Sequence, residues 1–177
     1  AMAVVGADRG LGWTAAAVAA VLEERDVFRG RIEERPADLA ERAALVGGDG
    51  DRAGSVDRNA LRSARRSAQQ IARRLGVKRG EVRHDDVGPL VAVAFPERIA
   101  QAQGSAGGFR MRGGGGGQLA STDPLADARY LAVARIEAGP KGPMVALAAH
   151  LSEADVLAAV GDDVDENIEL RWDEARN

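Results

Sequence analysis

The spacing of apolar residues changes near the middle of this 177-residue chain, and that change limits the folds it can adopt. Up to Gly76 the apolar residues recur at the three- and four-residue spacing of helices. After Gly104 short alternating segments are separated by glycine, which is typical of β strands. A polar joint, residues 76–89, lies between the two patterns. The sequence therefore predicts an α+β fold with a helical domain at 1–80 and a β domain at 81–177.

Three helices are predicted before the joint. Thr14 is expected to cap the first, Pro36 to occupy the first position of the second, and Ser55 to cap the third. Glycines at 47–48 and at Gly76 are expected to end the second and the third. We expect these helices to form a small bundle.

The third helix has a one-sided charge pattern. Its apolar residues form one stripe, and the arginines on another face are Arg58, Arg62, Arg65, Arg66 and Arg73. A run of charge on a helix is most often a solvated surface. The alternative is that Arg62, Arg65, Arg66 and Arg73 contact the phosphates of a nucleic acid. The sequence leaves both interpretations open.

The second half of the chain predicts a helical segment and then strands. Residues 90–103 are apolar and helix-like, with a break at Pro96 because proline lacks a backbone N–H. The strands are predicted at 109–112, 118–121, 129–138, 144–150 and 167–171. Before the last of them, Ser152 and Asp155 form a capping box for a short helix that Gly161 ends. This order is typical of a small antiparallel Greek-key barrel of the oligonucleotide-binding (OB) type with an inserted helix.

The glycine run 113–117 is the most conspicuous low-complexity segment. A P-loop needs Lys followed by Ser or Thr after its last glycine, whereas Gln118 follows here. We therefore interpret the run as a hairpin tip. Its neighbours Arg110 and Arg112 suggest a second possibility, a mobile loop that follows a nucleic-acid backbone.

Several function classes are excluded by composition. The chain has no cysteine, which removes disulfides, thiolate metal sites and cysteine nucleophiles. Its only histidines, His84 and His150, are far apart in sequence, so a metal site requires the fold to unite them. No segment is apolar for long enough to span a membrane. Aromatic residues make up 3% of the chain, so a large aromatic pocket is not expected.

Several short blocks, taken in order, resemble one protein family, the HrpB-type bacterial DEAH-box ATP-dependent helicases. The blocks are residues 21–30 (VLEERDVFRG), 91–100 (VAVAFPERIA), 123–126 (DPLA), 130–134 (YLAVA), 147–156 (LAAHLSEADV) and 170–173 (LRWD). The resemblance covers only the region behind the motor, because the chain contains neither GxxxxGK[ST] nor a DExH box.

The resemblance implies a part of a larger helicase. Residues 1–80 are then the end of the helicase-associated ratchet domain, and the rest is the C-terminal OB-like domain. In the family more chain follows the 170–173 block, so we expect the barrel to lack its closing strands. ATP and Mg²⁺ are expected only in the absent motor domains, and no cofactor is expected in this chain.

The implied partners are the motor domains of the same chain and single-stranded RNA or DNA. We expect the protein to be cytoplasmic and to have no membrane partner. Arg98, in the second block, is expected either to contact nucleic acid or to hold the two domains together. Phe109 and Tyr130 are expected to be core residues, with base stacking as the alternative.

The charge balance predicts weak binding by the isolated chain. The formal net charge is −3. From Ser152 onward the acids are Glu153, Asp155, Asp162, Asp163, Asp165, Glu166, Glu169, Asp173 and Glu174, against Arg171 and Arg176. Such an end repels phosphate. The remaining alternative is a protein-interaction module that does not contact nucleic acid.

Overall fold

The computed structural model of the protein describes Gly6 and residues 10–48 and 55–161. Its helices are α1 (Gly12–Glu23), α2 (Leu39–Gly47), α3 (Arg58–Leu75), α4 (Val87–Ala94) and α5 (Glu153–Val160), with 3-10 turns at Ile32–Glu34, His84–Asp86 and Pro96–Arg98. Its strands are β1 (Ile99–Ala102), β2 (Gly108–Met111), β3 (Gly116–Gln118), β4 (Tyr130–Gly139) and β5 (Gly142–Leu151). The predicted α+β class, with helices before strands, is confirmed.

The strands form a closed barrel in the order β1-β2-β3-β5-β4. Every pairing is antiparallel except that of β3 with β5, where Gln118 lies opposite Met144 in a parallel register. Five strands cannot alternate in direction around a closed ring, so one pair has to be parallel. The OB-like prediction is confirmed, and the expectation of a fully antiparallel barrel is corrected.

The barrel closes within the part of the chain that the structure describes, which corrects the expectation of missing closing strands. The predicted strand 167–171 and the block 170–173 lie outside the described residues. Helix α5 follows β5 and is not inserted between two described strands. Its start is as predicted, because Ser152 and Asp155 exchange the hydrogen bonds of a capping box.

The barrel wall separates two apolar clusters. Phe109, Leu131 and Val133 point inward and pack with each other inside the barrel. On the outer face, residues such as Ala132 and Leu147 join a second cluster that extends through the helices. Because α4 packs on β4 and β5, it covers that side of the barrel and leaves the outer face of β1 and β2 open.

Small residues allow the layers to approach closely. The buried residues of α3 are all alanine, at positions 60, 64, 68 and 72, and they pack on α1 and α2. In α4, Gly88 lies directly against the backbone carbonyl of His150, and a Cβ at that position would collide with the carbonyl oxygen. The high alanine content and low aromatic content of the chain therefore allow its helices and strands to pack at short distances from one another.

The predicted starts of α1, α2 and α3 are wrong by two or three residues. The caps of α2 and α3 are aspartates: Asp38 accepts from the N–H groups of Ala40 and Glu41, and Asp57 from those of Asn59 and Ala60. The N-cap of α1 is Leu11, which makes no side-chain capping bond. Pro36 and Ser55 lie upstream of these caps, and Thr14 lies inside α1. Each aspartate satisfies two of the free N–H groups in the first turn of its helix, which fixes the start at that position. The predicted glycine ends are confirmed, because Gly48 and Gly76 are in the left-handed conformation.

The segment 90–103 is only partly helical. Helix α4 ends at Ala94, Pro96 begins a 3-10 turn, and residues 99–102 form β1. Ile99 and Ala100 pair with β4, and Ala100 also pairs with Met111 of β2. The break at Pro96 is confirmed, but residues 99–102 are not helical, because strand pairing on both sides overrides their helical periodicity.

Candidate nucleic-acid interface

A row of polar side chains crosses the open part of the barrel. Tyr130 of β4 lies opposite Gln101 of β1, and Gln101 lies opposite Arg110 of β2. Directly paired residues project from the same side of a sheet, so the three side chains stand together on the outer face. Gln101 and Arg110 are exposed and Tyr130 is half-buried.

This row forms part of a groove of about 530 Å³, which we call the barrel groove. Strands β1 and β2 form its floor, and Val156 and Val160 of α5 form one wall. Gln103 and Arg112 extend the polar lining at its two ends. Cations and amides beside an aromatic ring are the groups that bind the phosphates and bases of a single strand.

Arg110 and Arg112, both singled out from the sequence, line the barrel groove. The glycine run after them forms a hairpin, as predicted, and β3 begins inside the run at Gly116. Gly114 and Gly115 have φ angles of +94° and +72°, which suit glycine. The turn is anchored, because the Gly113 N–H donates a 2.7 Å bond to the carbonyl of Glu97.

A second depression of about 280 Å³ lies beside the groove and shares Gln103 with it. Gln118 and Lys141 line it, together with the backbone of β3 glycines. It lies between the β1–β2 loop and the β4–β5 turn, where OB folds bind oligonucleotides. Lys141 was missed by sequence reasoning, since a single lysine in a Gly-Pro-Lys-Gly turn becomes notable only once the barrel topology is known.

The two aromatic candidates have different positions. Phe109 is 4% exposed inside the barrel, which confirms the core interpretation. Tyr130 packs at the edge of the outer cluster and also lines the barrel groove. Among the residues that line the barrel groove, Tyr130 therefore provides the aromatic ring.

The basic face of α3 presents Arg62, Arg66 and Arg73 to solvent, and we call these three residues the basic ridge. Among the described residues no carboxylate pairs with any of them. Arg65 differs, because its Nε and Nη2 donate bonds of 3.2 and 2.9 Å to the carbonyl of Leu45. That carbonyl belongs to the last turn of α2, so Arg65 caps a helix end.

Arg98 is held by the barrel. Its Nη1 donates a 3.1 Å bond to the carbonyl of Ala134, and its guanidinium lies 5.3 Å from the centre of the Phe95 ring. These contacts fix the 3-10 turn to β4. They lie within the predicted second domain, so Arg98 does not bridge to residues 1–80 through them.

Other residues join the helical part to the barrel, and sequence reasoning missed them. Arg35 binds Asp26 at 2.9 Å and Glu137 of β4 at 3.3 Å. Arg135 of β4 donates a 2.7 Å bond to the carbonyl of Leu22, at the end of α1. The Asp123 carboxylate, in the 123–126 block, accepts from the N–H of Ala37 at 2.8 Å. Long-range ion pairs carry no spacing signal in a single sequence.

The basic ridge and the barrel groove do not line a common cavity among those of the described residues. Helix α3 packs on α1 and α2, whereas the groove is walled by α5. The structure therefore offers two separate basic surfaces.

The two histidines of the chain lie in different elements of the fold. His84 lies in a 3-10 turn and His150 in β5, and both are exposed. No group of three or more metal-ligating side chains occurs among the residues described. Within the same residues, no helix has the length and apolar character needed to cross a bilayer.

Comparison with known proteins relates this architecture to ATP-dependent DEAH-box helicases. No family model matches the chain. One curated relative is the ATP-dependent RNA helicase HrpB of Escherichia coli strain K12, which is 28% identical over 120 residues, 62% of this chain and 14% of the relative.

Two crystal structures of E. coli HrpB resemble the fold. The one described as a DExH-box NTPase is 26% identical with a TM-score of 0.67, and covers 98% of this chain and 19% of its own. The one described as a DEAH/RHA helicase is 24% identical with a TM-score of 0.60, and covers 81% and 16%. The predicted resemblance to HrpB-type helicases is confirmed, and the chain spans less than a fifth of the length of these relatives.

Proposed function

We propose that this chain is an accessory region of an ATP-dependent RNA helicase that helps to grip or guide single-stranded RNA. The observation that carries the proposal is the row of Tyr130, Gln101 and Arg110 in the barrel groove, on a chain similar to an RNA helicase. The ring offers a stacking surface and the arginine offers a phosphate contact.

The basic ridge supplies a second set of phosphate contacts. Arg62, Arg66 and Arg73 point to solvent from one side of α3, and helix rigidity keeps their spacing fixed. One RNA molecule can contact both the barrel groove and the basic ridge only if the rest of the helicase guides it from one surface to the other. We therefore propose that the motor domains of the same chain are the principal partner.

ATP and Mg²⁺ belong to those motor domains in this proposal. The present sequence has no phosphate-binding loop and no DExH box, so the chain contributes binding and positioning. We place the division between a partial ratchet-like domain and the OB-like domain at residues 80 and 81, as the sequence suggested. The shared outer cluster then serves to hold the two rigidly together.

A salt titration tests the proposal. A labelled single-stranded RNA is titrated with the 177-residue chain at low salt and near 0.15 M. We expect measurable binding at low salt that is lost near physiological salt, because few phosphates are contacted and the net charge is −3. Sub-micromolar binding near physiological salt would contradict dependence on the motor.

Matched substitutions locate the site. Arg110→Gln should lower the low-salt affinity, while Lys78→Gln removes an equal charge from an exposed loop position outside both surfaces and should leave it nearly unchanged. Equal effects of the two variants would mean that only net charge matters.

A second function, protein interaction without nucleic-acid contact, is favoured by two exposed apolar side chains. Val93 of α4 and Leu157 of α5 are 37% and 51% exposed. Charge reversal at Arg62 and Arg66 in the complete helicase discriminates the two functions. Loss of unwinding supports the RNA path, whereas intact unwinding with loss of a bound protein supports the interaction module.

A further inference from the structure

Arg129 lies immediately before β4 and precedes Tyr130, which lines the barrel groove. Its backbone is fixed, because its carbonyl accepts a 2.9 Å bond from the N–H of Ala102. Its guanidinium lies 5.0 Å from the centre of the Tyr130 ring, within the range of a cation–π contact. The ring in the groove is therefore partly covered by a cation.

That cation is already paired. Nη1 of Arg129 lies 3.2 Å from a carboxylate oxygen of Glu153, in the first turn of α5. The barrel register places Glu153 there, because β5 ends at Leu151, directly opposite Tyr130. The capping box of Ser152 and Asp155 then fixes the direction of the first helical turn.

We propose that Glu153 competes with a phosphate of bound RNA for the guanidinium of Arg129. This inference rests on the proposed function of the barrel groove. Arg129 is then a further nucleic-acid-binding residue, which Glu153 occupies in the free protein. When a strand enters, a phosphate oxygen replaces the Glu153 carboxylate on Arg129, and the Tyr130 ring is freed for a base.

The exposure of the pair suits such an exchange. The side chains of Arg129 and Glu153 are 65% and 61% exposed. An ion pair this open is weak and screened, so a phosphate can displace it at little cost. A buried pair such as Arg42 with Asp26 is not exchangeable in this way.

A double-mutant cycle on the 177-residue chain tests the proposal with labelled single-stranded RNA at low salt. Glu153→Gln should raise the affinity about two- to fivefold, in line with the strength of exposed ion pairs. Arg129→Gln should lower the affinity, and Glu153→Gln should then bring little further gain. Glu153→Ala repeats the test without an amide that can bond to Arg129.

Asp127→Asn is the matched control, because it removes one exposed negative charge two residues from Arg129. Its gain should be clearly smaller than that of Glu153→Gln. Equal gains in the two variants, or an undiminished Glu153→Gln gain in the Arg129→Gln background, would overturn the proposal. If the unsubstituted chain does not bind RNA, or if Arg110→Gln changes nothing, the proposed function itself fails.

Discussion

Arg42 is completely buried, and its Nε and Nη2 each donate a 3.0 Å hydrogen bond to a different carboxylate oxygen of Asp26. Nη1 donates to the carbonyls of Pro36 and Asp38, and the guanidinium lies 4.7 Å from the centre of the Phe28 ring. The pair organises the segment between α1 and α2 rather than a surface, because Asp26, Phe28, Pro36 and Asp38 all precede α2. Its charges therefore matter for the fold that supports the groove.

Replacing Arg42 with Met should destabilise the chain strongly. The substitution removes one partner and leaves the Asp26 carboxylate with only part of its compensation, which costs about 3 kcal/mol or more for buried pairs. Urea unfolding at neutral pH measures the loss. Arg31→Met, at an exposed position, is the control and should change the free energy of unfolding by less than about 0.5 kcal/mol.

Acid should weaken the same pair. Burial alone would raise the pKa of the Asp26 carboxyl, but the hydrogen bond and charge of Arg42, the Phe28 N–H and the charge of Arg35 together lower it below its usual value. A lowered carboxyl pKa stabilises the folded state above the unfolded pKa of about 3.9, and this stabilisation is lost as pH falls through the folded pKa. The stability advantage of the unsubstituted chain over Asp26→Asn should therefore shrink below about pH 4.

The contribution of Asp26 to acid sensitivity has to be measured as the difference in unfolding free energy between the unsubstituted chain and Asp26→Asn, because Asp57 is also acid-sensitive. The pKa of Asp57 is also lowered, first by the hydrogen bond from the Ala60 N–H and then by further contacts that include Arg25 and Arg29. Asp57 therefore adds acid sensitivity to both proteins, and it cancels in the comparison. A gap between them that stays constant from pH 7 to pH 3 would contradict the role assigned to Asp26.

Local signals in the sequence predicted some helix ends correctly but misplaced the starts of α1, α2 and α3. The end of α3 at Gly76 and the start of α5 at Ser152 depend on neighbouring residues, and both are correct. Strand β1 was missed because residues 99–102 have helical spacing, and only pairing with β2 and β4 makes them a strand. Closure of the barrel likewise depends on contacts between distant residues.

The candidate site was predicted only in part, because some of its residues carry a local sequence signal and others are brought together only by the fold. Arg110 and Arg112 stood out beside the glycine run and line the groove. The sequence places Arg65 with Arg62, Arg66 and Arg73 because helical spacing gives side-chain direction only roughly. The bond of Arg65 to the Leu45 carbonyl appears only in the packed structure. Arg129, Glu153 and Lys141 have no local pattern that distinguishes them from other exposed charges.

Gly88→Ala should destabilise the junction between α4 and β5. The added methyl group would meet the carbonyl of His150, which the β5 pairing holds in place, so one layer has to shift. Overpacking of this kind costs about 1–3 kcal/mol. Thermal unfolding measures the change, with Gly80→Ala as control because a Cβ at that position meets nothing within 4 Å. Equal melting temperatures for the two variants would show that α4 does not pack closely on β5.

Arg65 and Arg66 are neighbours on α3 with different surroundings, and substitution of each by Gln should separate stability from RNA binding. Arg65→Gln removes the two bonds to the Leu45 carbonyl and should lower the free energy of unfolding by about 1–2 kcal/mol, with RNA affinity little changed. Arg66→Gln, at an exposed position, should change stability by less than about 0.5 kcal/mol. It should weaken low-salt RNA binding and reduce the slope of log affinity against log salt by about 0.7, the value for one phosphate contact on a single strand. Loss of RNA affinity in Arg65→Gln alone would reverse the two assignments.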